Sequence, residues 1–142
     1  MQEAKVVTCF LLRRLPAGDE VLLLRRSQQV GTYRGRWAAV SGYLEEADPL
    51  AQAYREMEEG AGLGPDEVAL LRAGDPLVVV DTEAGRRWIV HPFLFEVGAD
   101  ARVRVDWEHT EARWVRPEEV SAFDTVPQLA EALTRVYPPQ RL

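Results

Sequence analysis

The stretch Gly42–Leu63 constrains this chain more than any other. Asp48 is a short carboxylate that can accept the orphan N–H groups at a helix start. Pro49 fits the first helical position, where its missing N–H is not needed. Leu50, Ala51, Ala53, Tyr54 and Met57 supply apolar positions, Gly62 can take the left-handed conformation that ends a helix, and Leu63 can fold back on the last turn. The order predicts a loop, a capped helix and a glycine stop. Glu56 and Glu59 are three residues apart near its end and share a face, with Arg55 beside them. Two carboxylates on one rigid helix suit a hard divalent cation, which takes oxygen ligands and keeps its waters. A solvated acidic face with ordinary charge pairs has the same pattern.

The flanking segments alternate between apolar runs and turns. Lys5–Leu12 and Val21–Leu24 read as a hairpin across the turn Arg13–Glu20, with Arg25 and Arg26 leaving its end. Ser27–Arg36 is a polar loop; Tyr33, Arg34, Arg36 and Trp37 can pack on a nucleobase or contact phosphates, although Trp37 also opens a short apolar strand and reads as core. Val68–Leu71 and Leu77–Val80 read as strands, Asp81–Arg87 as a hairpin loop and Trp88–Val97 as a central strand. Pro92 removes a ladder hydrogen bond, which predicts a bulge or an edge near His91. His91 itself reads as structural. Gly98–Val105 reads as a turn and another strand. Asp106–Glu111 is an acidic loop around Trp107, and its His109 is a candidate base because its reference pKa lies near neutrality. Ala112–Val115 follows as a strand and Pro117–Phe123 as a short helix. Thr125 is placed to cap a last helix, Pro127–Val136, docking through Leu129, Leu133 and Val136.

Composition excludes several classes. With 142 residues, 46% of them hydrophobic, the chain suits one globular domain. A net charge of −6 argues against broad nucleic-acid binding, which needs a basic surface to replace counterions. No apolar run reaches the roughly 18 residues of a membrane span. Met1–Lys5 does not open a signal peptide. Cys9 is the only cysteine, so no internal disulfide forms; it reads as a small core residue and suits the reducing cytoplasm.

The second half of the central stretch, Arg55-Glu56-Met57-Glu58-Glu59-Gly60-Ala61-Gly62-Leu63, resembles the Nudix box of the Nudix hydrolases. That signature runs Gly, five residues, Glu, seven residues, then Arg-Glu-aliphatic-any-Glu-Glu-any-Gly-aliphatic. Arg36–Gly42 is similar to the tryptophan-led strand that enters the box, and Trp114–Glu119 resembles the family's last strand-to-helix junction. Two positions depart from the pattern. The loop half is one residue short and lacks a clean equivalent of its Glu, with Ala47 or Asp48 falling there and Glu46 nearby. Gly60 stands where the second Glu of the Glu-Glu pair belongs.

The resemblance implies a Nudix α/β/α sandwich, with a mixed β-sheet between the box helix and a C-terminal helix. It implies a hydrolase that cleaves a diphosphate bond in a nucleoside diphosphate linked to another moiety, using Mg2+ or Mn2+. Metal would sit on the Gly42 carbonyl, Glu56 and Glu59. Arg55, Glu59 and Glu108 are the catalytic candidates, with Glu46 and Glu111 as alternative sources of the missing carboxylate. Arg25, Arg34 and Arg36 would hold phosphates. A homodimer is in keeping with the family. The departures keep a second reading open, a weakened nucleotide-binding or regulatory module.

Overall fold

The computed structural model describes residues 1–139. Eight strands form one mixed sheet: β1 (Gln2–Leu15), β2 (Gly18–Arg26), β3 (Trp37–Ala38), β4 (Val40–Tyr43), β5 (Val68–Ala73), β6 (Leu77–Asp81), β7 (Arg86–Val97) and β8 (His109–Val115). Two α-helices, α1 (Pro49–Ala61) and α2 (Leu129–Thr134), cover its faces. The spine of the sheet runs β3-β2-β1-β7-β5, with β4 on β1, β6 on β7 and β8 on β2. Of these strand pairings, only β1 with β7 is parallel.

The alternation of β1 explains the layers. Val7, Cys9 and Leu11 pack on the α1 side with Ala53, Met57 and Ala61. Phe10 and Leu12 pack on the α2 side with Leu129, Ala132 and Leu133. A strand buried on both faces reads as a continuous apolar run, as β1 does. The expected sandwich is therefore present, and Trp37 and Cys9 are core residues.

Helix α1 follows its local signals. The Asp48 side chain accepts from the Leu50 N–H at 3.1 Å, and Pro49 opens the helix. Gly62 takes φ 70°, and the Gly62 and Leu63 N–H groups close the last turn on the Glu58 and Met57 carbonyls. A side chain in that left-handed well costs roughly 1–2 kcal/mol. A Cβ at Gly62 would also stand 3.0 Å from Arg104 Nε. Gly62→Ala should therefore destabilise the protein by at least roughly 1–2 kcal/mol in urea unfolding, with the m-value unchanged.

Four segments differ from the sequence reading. The first hairpin is longer, because Arg13 and Glu20 pair across the ladder through hydrogen bonds of 2.6 and 2.8 Å and leave only Pro16-Ala17 to turn. Residues 98–105 contain no strand. Ala101 and Val103 pack against the α1-side core, and the Arg104 N–H donates to the Ala61 carbonyl at 2.9 Å, so this segment crosses the end of α1. Pro92 makes neither an edge nor a bulge. It lies in the gap between the β6 and β5 ladders, where no N–H is needed, while the bulge falls in β5 between Leu70 and Arg72. The short helix expected from Pro117 is present, as the 3-10 helix Pro117–Ala122. Thr125 caps no helix; residues 124–126 are drawn into backbone hydrogen bonds with Trp37, at 2.9 Å on each side, and α2 starts only at Leu129.

Candidate active site

Strand β4 and helix α1 bring the box residues together. Gly42 is pinned opposite Val7, and the Glu56 carboxylate lies directly on it, so that any Cβ at position 42 would collide with that carboxylate. Only glycine allows so close an approach. Burial pushes the Glu56 carboxyl up to about 7, and the neighbouring carboxylates of Glu59, Glu108 and Glu45 act in the same direction. The Gln52 amide opposes them, donating to Glu56 Oε1 at 2.9 Å.

Arg55 lies between Glu46 and Glu59 at 3.1 Å from each, and 4.0 Å from Glu45. These groups lie near the surface, where such bridges orient side chains more than they stabilise the fold. Glu46 thus takes the place beside Arg55, despite the shortened loop. Glu108 arrives from the segment before β8. Its backbone is held by Ser27 N–H donating to the Glu108 carbonyl at 2.7 Å and by its own N–H donating to Asp106 Oδ1 at 3.0 Å. Burial raises its pKa, Asp106 adds to the shift and the Arg26 guanidinium opposes it. Glu111 sits on β8 and faces Arg25 at 3.8 Å. His109 is buried with Nδ1 3.3 Å from Asp106 Oδ1, without a well-formed hydrogen bond, and burial lowers its pKa. Gly60 is buried in α1, with its absent Cβ pointing at Val40 Cγ1 from 3.6 Å.

A cavity of about 150 Å3 opens beside Gly42 and Glu108. Tyr33, Tyr43 and Trp88 form aromatic walls, and Leu77, Val79 and Leu129 form aliphatic ones. The Tyr33 hydroxyl donates to Asp81 Oδ2 at 2.6 Å and accepts from Trp88 Nε1 at 3.0 Å. Among the described residues, two non-glycine residues take positive φ, Tyr33 at 49° and Gln128 at 59°, and both line this cavity. Such strain gathers at functional sites.

The arginines sort differently from the sequence reading. Arg25 donates to the Gly35 carbonyl at 3.0 Å and Arg34 to the Val30 carbonyl at 2.8 Å, so both brace the Ser27–Arg36 loop. Arg36 stacks over Tyr33 at 5.7 Å and faces Asp124 at 3.9 Å. None of the three lines the cavity, whereas Arg26 does, held by Thr32 at 2.9 and 3.2 Å. Val21 and Leu23, in step with Arg25, are as buried as Leu22 and Leu24, in step with Arg26, so alternation along β2 does not tell the two arginines apart.

Among the described residues, no three His, Cys, Asp or Glu side chains are placed to hold a metal ion together. The residues do fit a hard cation bound mainly through water and substrate, which needs only one or two carboxylates. Glu56 with its raised pKa, near the carboxylates of Glu59, Glu108 and Glu45, is part of a donor set that a cation would relieve.

The sequence matches the NUDIX domain over residues 4–136. The chain belongs to the NUDIX family. Solved structures agree in fold. A C. elegans Ap4A hydrolase binary complex superposes with a TM-score of 0.78 at 19% identity, covering 93% of each chain. The NUDIX domain of Shewanella oneidensis NrtR, complexed with ADP ribose, gives 0.74 at 12% identity, over 95% of this chain and 86% of that one. A MutT protein from Methanosarcina mazei gives 0.67 at 24% identity, over 95% and 94%. No curated protein matches the chain. Membership makes this a Nudix-type pyrophosphohydrolase, from a family that hydrolyses nucleoside diphosphate derivatives and generally uses divalent metals. No described helix is long and apolar enough to cross a membrane.

The Nudix carboxylates carry a pH signature. A carboxyl whose folded pKa is raised binds more protons folded than unfolded, so stability falls as pH rises from its ordinary value of 4.5 to about 7. Glu108 acts in the same direction. The melting temperature of EDTA-treated protein should drop between about pH 5 and about pH 8, and Glu56→Gln should flatten that drop. Scanning calorimetry across the range checks it.

Proposed function

We propose that this Nudix protein is a divalent-metal-dependent hydrolase that cleaves a diphosphate bond in a nucleoside diphosphate linked to another moiety. The observation that carries this reading is the Glu56 carboxylate set on Gly42, with Glu59 and Glu108 near it, beside an aromatic-walled cavity that Gly42 and Glu108 line. Glu56, Glu59 and the Gly42 carbonyl would hold Mg2+ or Mn2+. When bound, the ion would neutralise phosphate charge and acidify a water. Arg55 holds Glu59 and Glu46 in place. Glu108, partly buried at the cavity mouth, is the residue to take the proton from the attacking water. Arg26 would meet phosphate oxygens from the cavity wall, with Arg25, Arg34 and Arg36 shaping the loop above it. Tyr33, Tyr43 and Trp88 offer faces for a flat base. The ADP ribose and Ap4A named for the similar structures are of this chemical class. Buried Cys9 fits a cytoplasmic protein.

Turnover of a panel tests the proposal: dinucleoside polyphosphates, nucleotide sugars, ADP-ribose and nucleoside triphosphates, each with Mg2+ and with Mn2+. Glu59→Gln run alongside excludes a contaminating phosphatase. Metal-dependent turnover lost in that variant supports the hydrolase. Nucleotide binding without turnover supports the second reading, a weakened binding module, which Gly60 favours because it removes one carboxylate of the box. Gly60→Glu has room for its Cβ and should raise Mn2+ affinity several-fold in a calorimetric titration. Unchanged or weaker affinity would show that position 60 does not face the ion.

A further inference from the structure

Among the described residues, Gln52 is the most deeply buried of the polar and charged ones, at 1% exposure. A side-chain amide has one oxygen with two lone pairs and a nitrogen with two donors. Gln52 Oε1 accepts from the Glu45 and Glu46 N–H groups, each at 2.9 Å. Its Nε2 donates to Glu56 Oε1, also at 2.9 Å. The amide can face only one way, since two backbone N–H groups cannot donate to an NH2 and a carboxylate oxygen cannot donate to a carbonyl. The i,i+4 spacing puts Gln52 and Glu56 on the same helix face. Glu56 is thereby held between Gln52 Nε2 on one side and the bare Cα of Gly42 on the other.

We infer that Gln52 is a positioning residue of this active site, coupling the shortened loop 44–48 to the box helix and fixing the Glu56 carboxylate in the orientation that receives metal. The inference rests on the proposed role of Glu56. The loop half of the box is one residue short and lacks a clean equivalent of its Glu. The Gln52 amide supplies what that loop needs, an acceptor for two adjacent backbone N–H groups. The same amide supplies what Glu56 needs, one neutral donor that orients it without neutralising it. A cation would then find Glu56 Oε1 already committed and Oε2 presented.

Two variants separate positioning from a plain structural staple. Gln52→Leu removes the acceptor and the donor. Gln52→Glu keeps an acceptor for the loop N–H groups and removes the donor to Glu56. Each is measured for urea midpoint, for Mn2+ dissociation constant by electron paramagnetic resonance, and for kcat and KM separately. Outer partners of metal ligands typically change metal affinity or activity by about 10–100-fold. Both variants should therefore lose about 10–100-fold in kcat or in Mn2+ affinity, with KM within about three-fold. Gln52→Glu should fold with a urea midpoint that falls as pH rises, because it buries a second carboxyl against Glu56. Wild-type kcat and Mn2+ affinity in Gln52→Glu overturn the inference, whether or not Gln52→Leu folds. Glu56→Gln in parallel separates the two claims: if it too retains full turnover, the role of Glu56 has failed. If it is inactive while Gln52→Glu is normal, only the role of Gln52 has failed.

Discussion

Replacing Glu56 by glutamine should lower kcat by roughly 10²–10⁴-fold while leaving the fold intact. The change is isosteric, so the close approach to Gly42 survives. What disappears is the charge. Glu56 is the most strongly perturbed carboxyl here, raised to about 7 by burial and by three neighbouring carboxylates. Charge clustered in this way has a structural cost, so the metal-free variant should be more stable than the parent at alkaline pH. Loss of activity with a gain in stability is the pattern expected of a site residue and not of a core residue. A variant with kcat within a few-fold of the parent would remove Glu56 from the chemistry. Single-turnover kinetics on the substrate found by the panel, alongside calorimetry, gives both readouts.

Gly42→Ala should be nearly as damaging, for the opposite reason. The backbone at this position does not require glycine by its dihedral, since its φ is not in the left-handed region. Glycine is required because the Glu56 carboxylate occupies the volume a Cβ would fill. β4 is hydrogen-bonded to β1 on either side of this residue and will not yield, so the Glu56 side chain must. Displacement of a reacting group by about 1 Å can cost about 100-fold in rate. The expected result is a fall of that order in kcat, a weaker Mn2+ affinity and a small loss of stability. Gly42→Ala with unchanged kcat would mean that Glu56 works equally well from another rotamer. The second-site change Glu56→Asp, which shortens the side chain, should restore part of the lost stability in the Gly42→Ala background but not the activity.

Much of α1 was legible because its signals are local. An Asp-Pro start and a glycine stop act through the nearest backbone groups, and all three residues behave as their chemistry dictates. The layers were legible too, since β1 and β7 are apolar on both faces. The failures were tertiary. Ala101, Val103 and Val105 alternate as a strand does, yet the first two pack on the α1-side core, so alternation alone could not identify the partner. Thr125 sits where a cap belongs, but Trp37 claims the backbone around it. At the candidate site, Glu56 and Glu59 were legible from their shared helix face, while Gly42 and Glu108 came only from the resemblance to the Nudix family. Arg26 was hidden beside Arg25, because which of two adjacent residues faces inward depends on strand register. Gln52 was invisible for another reason: a glutamine in a helix reads as a solvated residue, and only the packing of the shortened loop over it makes it a buried hub.

The most direct measurement is a metal titration of turnover. Protein stripped with EDTA would be assayed on its best substrate while Mg2+ is added back, with rate followed against free Mg2+. The account expects negligible rate in the stripped protein, a saturable rise on adding Mg2+, and loss of that rise in Glu56→Gln. Full turnover in the stripped protein, or an undiminished rise in Glu56→Gln, would contradict the claim that the carboxylates around Gly42 form a metal-dependent hydrolytic centre.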